Sequence, residues 1–412
     1  MTAINQVPLH EAFWFQEGPG VRKTQFTSEG VKLLNVANIT ADGRIDLSKT
    51  DRHITESEAK GKYSHFLVDD GDLVIASSGI SFDDDGYLRT KIAFVESSHL
   101  PLCMNTSTIR FKPKRKGYSL SYLKHWLQSF EFRAQVSREV TGSAQQNFGP
   151  SHLKRMAISI PEPHEQRRIA AILDKADAIR RKRQQALALA DDFLKSAYVH
   201  LVGHRNPAYA VWQPEKFEKL AQDRKGAIRS GPFGSALLHS EFVDEGVAVL
   251  GIDNAVQNQF AWGQRRFITE DKYEALRRYQ VFAGDVIITI MGTTGRSAVV
   301  PDDIPEAITT KHLASITCDT SKILPEVLSF AIHSDPMIIR QIKQHNKGAI
   351  MDGLNLGIIK QLVLPKPPMK LQERFAETLR RVAKQKEQII SELGDGTELF
   401  ASLSQRAFRG EL

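Results

Sequence analysis

Short apolar runs rich in β-branched residues, bounded by Gly, Asp or Pro, recur through the first third of the chain. "KLLNVANI" (32–39), "GDLVIASS" (71–78), "TKIAFVES" (90–97) and "NTSTIRF" (105–111) are of this kind. Their length and their turn-forming flanks predict strands. The period changes at Ser119. "SLSYLKHWLQSFEFRAQVSRE" (119–139) sets Leu123, Trp126, Leu127 and Phe130 at helical spacing, which predicts one helix with an apolar face. A longer pattern follows. From Ile169, apolar or small residues fall at Ile172, Ala176, Ile179, Ala186, Ala190, Phe193 and Ala197, nearly a heptad seam, interrupted by Arg183. Pro161 and Pro163 precede it and Gly203 follows, as helix starts and stops require. A helix of about 38 residues spans roughly 57 Å. A second seam near the end carries Phe375, Leu379, Val382, Ile389 and Leu393. "GDGT" (394–397) predicts a break in it, with the pattern resuming through Phe400 and Leu403.

The two helix starts are alike. In "PEPHEQRRIAAILDKADAI" (161–179) and "PPMKLQERFAETLRRVAKQ" (367–385), Pro161 answers to Pro367, Gln166 to Gln372, Arg168 to Arg374 and Ala170 to Ala376. Three more stretches match in the same order. "EGVKLLNVANI" (29–39) resembles "EGVAVLGIDNA" (245–255), and "GDLVIASSG" (71–79) resembles "GDVIITIMG" (284–292). "TGSAQQNFGPSHLKRMAISIP" (141–161) resembles the segment from Lys347 to Pro367. Four matches in one order are an internal duplication. The expected fold is α+β: two pseudo-repeated mixed domains, 1–160 and 206–366, each closed by a long helix, 161–205 and 367–412. A helix of that length is a strut, and two related struts can pair antiparallel as a spacer.

Composition narrows the function. With 41% hydrophobic and 25% charged residues, the chain is composed like a soluble globular protein. No apolar run approaches the ~20 residues of a membrane span, and the first residues lack a signal-peptide pattern. Two cysteines, Cys103 and Cys318, without a CxxC, suit a reducing cytoplasm. The net charge of +7 makes nucleic acid the leading candidate partner, set against a merely basic surface. Catalytic signatures are missing. There is no Asn-Pro-Pro-Tyr or Asp-Pro-Pro-Tyr, and "GTTGRS" (292–297) lacks the spacing and lysine of a phosphate loop. In "PDDIPEAITTK", Glu306 and Lys311 are spaced wrongly for a nuclease, and the 13 histidines form no metal motif. The glycines of "GPG" (18–20) and "SGPFGS" (230–235) read as turns.

Together these stretches resemble one family, the specificity subunits of type I restriction-modification systems. The resemblance rests on "TGSAQQNFGPSHLKRMAISIPEPHEQRRIAAILDKADAI", "LVLPKPPMKLQERFAETL", "LFASLSQRAFRGEL", "SGPFGS" and "GDLVIASSG", and covers essentially the whole chain. Leu371, where the first copy has Glu165, and the "GDGT" interruption depart from it. The resemblance implies two target recognition domains, each reading half of a split site on double-stranded DNA. It implies helices that set the gap and dock partner subunits. It implies no catalysis and no cofactor in this chain. Two modification subunits would bring S-adenosylmethionine-dependent adenine methylation, and two restriction subunits would bring ATP- and Mg-dependent translocation and cleavage.

Candidate DNA contacts follow from residue type, with Lys and Arg for phosphates and polar groups at loop tips for base edges. In the first domain these are Ser77, Ser78 and Gly79, then Asn105, Thr106 and Ser107, then Gln145, Gln146 and Asn147. The second domain offers Thr293, Thr294 and Arg296, then Lys311 and His312, then Lys347. Lys112, Lys114 and Arg115 of "KPKRKGY" either track phosphates or solvate a hairpin. "RRKR" (180–183) faces DNA or forms an exposed flank. For seam or docking the candidates are Gln166, Arg168, Ile169, Ile172, Ala176, Ile179, Gln372, Arg374, Phe375, Leu379, Val382 and Ile389. Three rival readings remain: a degenerate enzyme, which the missing motifs oppose; a coiled-coil scaffold that binds only proteins, which leaves the two basic domains unexplained; and a stand-alone DNA-binding protein without a methyltransferase partner.

Overall fold

A computed structural model of the chain describes residues 5–78, 90–139, 147–345 and 353–412. The chain divides into two compact units. One comprises Met1–Gln185 and Ile390–Leu412, the other Ala186–Ile389, so the division falls inside both long helices. The first half of the chain runs β1 (Asn5–Pro8), α1 (Leu9–Ala12), β2 (Phe13–Glu17), β3 (Val31–Leu34), β4 (His53–Ile54), α2 (Glu56–Lys60), β5 (Leu73–Ala76) and β6 (Ile92–Phe94). It continues through β7 (Leu102–Met104), β8 (Thr108–Pro113), α3 (Leu120–Trp126), α4 (Phe130–Glu139), α5 (Pro150–Leu153), β9 (Ala157–Ile160) and α6 (Pro163–Leu201).

The second half repeats that order. It runs β10 (Pro214–Lys216), α7 (Phe217–Leu220), β11 (Ile228–Ser230), β12 (Val247–Leu250), β13 (Phe267–Ile268), α8 (Glu270–Leu276), β14 (Val286–Thr289) and β15 (Ser297–Val299). It ends with β16 (Ala307–Thr309), β17 (Leu313–Ile316), α9 (Pro325–Ser334), α10 (Pro336–His345), α11 (Leu356–Gln361), β18 (Val363–Pro365) and α12 (Met369–Arg409). The sheets repeat as well. A four-stranded antiparallel sheet is ordered β2-β8-β5-β6 in one unit and β11-β17-β14-β15 in the other. A three-stranded sheet, β4-β3-β7 or β13-β12-β16, contains one parallel pair. A two-stranded ribbon, β1-β9 or β10-β18, ties each domain's start to the strand before its long helix. The fold is the expected α+β duplication.

Three expectations are corrected. The 119–139 segment is two helices. After Trp126 the Ser129 hydroxyl donates to the Trp126 carbonyl at 2.7 Å and accepts the Phe132 amide at 3.3 Å, which stops one helix and starts the next. Leu123, Trp126 and Leu127 are buried, but Phe130 starts the new helix 57% exposed, under the Arg133 guanidinium. In the second unit the matching break falls at Pro336, which cannot continue a helix. The "GDGT" segment does not interrupt α12, which is helical throughout. Two glycines cost about 2 kcal/mol of helix propensity at most, and packing on both sides of them overrides that.

Candidate nucleic-acid interface

Three segments distant in sequence meet at one end of the four-stranded sheet of the first unit. The Ser77 amide donates to the Ser107 carbonyl at 2.9 Å, and the Phe148 amide donates to the Ser77 carbonyl at 3.1 Å. Ser77, Ser78, Asn105, Thr106, Ser107 and Asn147 are thereby brought together. The second unit makes the same contacts. The Ile290 amide donates to His312, and the Leu354 amide donates to Ile290, both at 2.9 Å. That joins the hairpin carrying Thr293, Thr294 and Arg296 to Lys311 and His312.

The strands beneath are pressed close. A Cβ on Gly18 would stand 2.2 Å from the Asn105 carbonyl oxygen, and one on Gly231 would stand 2.2 Å from that of Thr309, so only glycine fits at either place. A buried ion pair braces each sheet. Asp72 lies 3.5 Å from Arg110 on β8, whereas the matching Asp285 pairs with Arg229 on β11. The guanidinium has moved one strand over. Its duties have moved with it, because Arg110 donates to the Leu67 carbonyl and Arg229 to the corresponding Gln280 carbonyl at 2.8 Å. Removing Arg229 would leave the buried Asp285 carboxylate without a cation, at about 3–5 kcal/mol, whereas Lys112 at 3.5 Å would still face Asp72.

At this end of the sheet in the first unit, Ser77 and Asn105 point inward. Ser77 is 2% exposed, and the Asn105 side chain donates to Asn35 Oδ1 and accepts from the Thr106 amide, both at 2.9 Å. They shape the turn. Ser107 is in the left-handed region (φ 66°), which a non-glycine residue enters only in a tight, well-held turn. Ser78 and Ser107 are half-buried, and Thr106 and Asn147 exposed. Lys112, Lys114 and Arg115 do not join this cluster. They lie at the other end of β8, a six-residue strand of roughly 20 Å. Lys112 is also neutralised by Asp69 and Asp72. Gly79, Gln145, Gln146 and Lys347 lie outside the described residues. In the second unit Thr293, Arg296 and Lys311 are exposed, and Thr294 and His312 half-buried. Burial and the adjacent Lys311 hold the His312 imidazole below its ordinary pKa, favouring the neutral ring.

On the long helices, Gln166 and Gln372 are fully buried. Gln166 accepts from the Ser119 amide at 3.0 Å and donates to the Pro161 carbonyl at 2.8 Å. Gln372 accepts from the Leu324 amide at 2.9 Å and donates to the Lys322 and Pro367 carbonyls. Each glutamine therefore pins its long helix to the start of the helix that follows the sheet. Ile169, Phe375 and Val382 are buried, Ile172, Ala176, Leu379 and Ile389 half-buried, and Arg374 exposed. Arg168 is exposed, bound to Glu165 and to the Leu412 carbonyl. Ile179 and Phe193 are 44% and 54% exposed. The seam turns away from them because the buried neighbours are Leu173, Asp177, Leu194 and Tyr198 instead. The arginines of "RRKR" are not a free flank: Arg180 and Arg181 pair with Asp177, and Arg183 with Glu392. Pairing is antiparallel in each unit. In the first, Arg168 and Arg183 meet residues 412 and 392. In the second, Asp191 and Tyr198 meet Lys386 and Phe375.

A family model described as the type I restriction modification DNA specificity domain matches residues 11–189 and 241–394. The chain belongs to that family. The specificity subunit of the type I restriction enzyme EcoBI of Escherichia coli is 25% identical over 177 residues, 41% of this chain and 36% of that relative. The MjaVIII specificity subunit of Methanocaldococcus jannaschii is 21% identical over 306 residues, 69% of this chain and 70% of that relative. This chain thus matches about a third of the first relative's length. The crystal structure of a type I S subunit from M. genitalium superposes with a TM-score of 0.58 at 17% identity, covering 99% of this chain and 97% of that one. A structure solved for complex assembly and conformational transition of the type I R-M system gives 0.56 at 15%, over 100% and 99%. Those two share the fold.

As a type I specificity subunit, the chain carries features that residue type did not reveal. Lys343, in the last turn of α10, stands beside the Thr293–Arg296 hairpin and was not among the sequence candidates. Its signal was the register of α10, visible only once the helix is known to break at Pro336. Among the described residues, no helix is long and apolar enough to cross a membrane.

Proposed function

We propose that each unit reads one half of a bipartite site on double-stranded DNA through the loops gathered at one end of its four-stranded sheet. The paired helices then set the gap between the halves and dock the modification subunits. The observation that carries this reading is the duplicated contact of Ser77 with Ser107 and Phe148, and of Ile290 with His312 and Leu354. One backbone frame presents Ser78, Thr106 and Asn147 in one unit and Thr293, Arg296, Lys311 and His312 in the other. A shared frame with different side chains suits two readers of different sequence. The chain itself supplies recognition. Two modification subunits would bring S-adenosylmethionine, and two restriction subunits ATP and Mg.

Exchange of one domain tests this. With residues 1–160 replaced by those of another family member, methylome sequencing should find one half-site changed and the other half and gap kept. A change in both halves would rule out independent readers. Methylation by the isolated pure chain would overturn its non-catalytic role.

A further inference from the structure

The hairpin between β14 and β15 packs on α10. A Cβ on Gly295 would sit 3.4 Å from Ile342 Cδ1, so the hairpin backbone and the last turns of that helix are held together. The hairpin is itself braced. The Thr289 hydroxyl donates to the Thr293 carbonyl and accepts the Arg296 amide at 3.0 Å. Between hairpin and helices lies a cavity of about 380 Å3, with Thr293, Thr294, Arg296 and Lys343 around an apolar floor of Ile332 and Ile342. Among the described residues, no carboxylate lines it. His333, also in its wall, is held down to about 4, chiefly by burial and also by the positive charges of Arg296 and Lys195. The histidine therefore stays neutral and adds no third cation.

Two cations and two hydroxyl side chains around a small apolar-floored recess suit an anionic oxygen cluster. The cavity adjoins the loops assigned above to base readout, where a bound duplex brings its own phosphates. We propose that Arg296 and Lys343 grip one backbone phosphodiester of the DNA strand flanking the bases that the second unit reads. This rests on the DNA-reading assignment above. It also predicts an asymmetry. By the repeat alignment, Lys91 stands where the second unit has Arg296, but Ser137 stands where it has Lys343. At that aligned position only the second unit carries the second cation.

The test uses the full chain assembled with its modification subunits and a fluorescent duplex bearing the sequence that methylome sequencing identifies. Affinity is followed by anisotropy over about 50 to 200 mM KCl, where each phosphate contact contributes about 0.9 to the log–log salt slope. Lys343→Ala should lower that slope by about 0.9 and leave the methylated sequence unchanged, whereas Lys343→Arg should retain the slope. Ser137→Ala should not move it. Lys343→Gln serves if the alanine variant fails to fold. An unchanged slope in a folded Lys343→Ala complex sinks this proposal alone, and so does a changed methylated sequence, which would make the lysine a base reader. Wild-type complex that binds no duplex sinks the DNA reading along with it. Inorganic phosphate that raises the Tm of wild type but not of Lys343→Ala, with equal DNA slopes, reassigns the cavity to a free anion and overturns the backbone assignment.

Discussion

Arg183 donates to the main-chain carbonyl of Glu392 at 2.7 Å, and its guanidinium also stands 2.9 Å from the carboxylate of the same residue. One side chain on α6 thus holds both the backbone and the side chain of a residue on α12. It does so one turn from Gly396, where a Cβ would meet Arg183 Nη1 at 3.0 Å. The glycine leaves room for the arginine.

The two glycines of this turn should therefore respond differently. Gly394 has open space around its Cβ position, so Gly394→Ala should stabilise the protein by about 0.5–1 kcal/mol through helix propensity. Gly396→Ala should gain less, because the arginine must shift. Arg183→Ala should cost about 1–2 kcal/mol, discounted for partial exposure. Chemical denaturation of the three variants gives the order, and equal gains from both glycines would remove the packing argument.

Gln166→Ala and Gln372→Ala should each cost about 1–3 kcal/mol by leaving a buried amide and a carbonyl unpaired. Each effect should be local. Hydrogen exchange should rise at the start of α3 and α6 for Gln166→Ala, and at the start of α9 and α12 for Gln372→Ala. Uniform loss of protection across the chain would argue against two separate pins.

The two units should answer to pH in opposite senses. Burial raises the Glu131 carboxyl from its ordinary 4.5 to about 7, partly offset by Arg409. The folded state binds this proton more tightly than the unfolded chain, so its contribution is full below pH 4.5 and lost as pH rises through 7. Glu131→Gln should gain on wild type in Tm between pH 5 and pH 8. His333 behaves inversely. Its folded pKa of about 4 lies below the ordinary 6.5, so stability is full above 6.5 and lost as pH falls towards 4. His333→Gln should flatten that acid limb, and parallel wild-type and variant curves would refute the assignment.

How far the sequence disclosed these features depended on the range of the interactions. The duplication was legible because strand and helix starts keep local signatures. Thr55 and Thr269 both cap their helices through the side chain, and Gln166 and Gln372 recur at one offset. The break at residues 127–129 was hidden, since it depends on one serine hydroxyl bridging two turns. Exposure of Ile179 and Phe193 was hidden too. Heptad spacing names two possible faces of a helix, and only tertiary packing chooses between them. At the candidate interface, residue type singled out segments that meet at one end of the sheet but not side-chain direction: Ser77 and Asn105 belong to that cluster yet face inward. Nor could charge alone place Lys112, Lys114 and Arg115 at the opposite end of their strand.

The helices give the last prediction. Within the first unit Arg183 meets Glu392, and within the second Asp191 meets Lys386. A heptad added to α6 alone would put one of these pairs out of step. Seven residues added after Ala186 together with seven after Ile389 preserve both, because seven residues are nearly two turns and keep the facing side chains in phase. Each helix lengthens by about 10 Å. At about 3.4 Å per base pair, the gap in the methylated sequence should grow by up to roughly three pairs if the helices run along the DNA axis. Both half-sites should persist, since no reading loop is touched. Two residues inserted after Ala186 alone should do worse. They turn the helix by roughly 200°, which sets buried Leu194 and Tyr198 against the preceding half of the helix in the wrong phase. Methylome sequencing of cells carrying each variant is the measurement. An active double-heptad protein with an unlengthened gap would mean that the helices dock subunits without measuring the distance between half-sites.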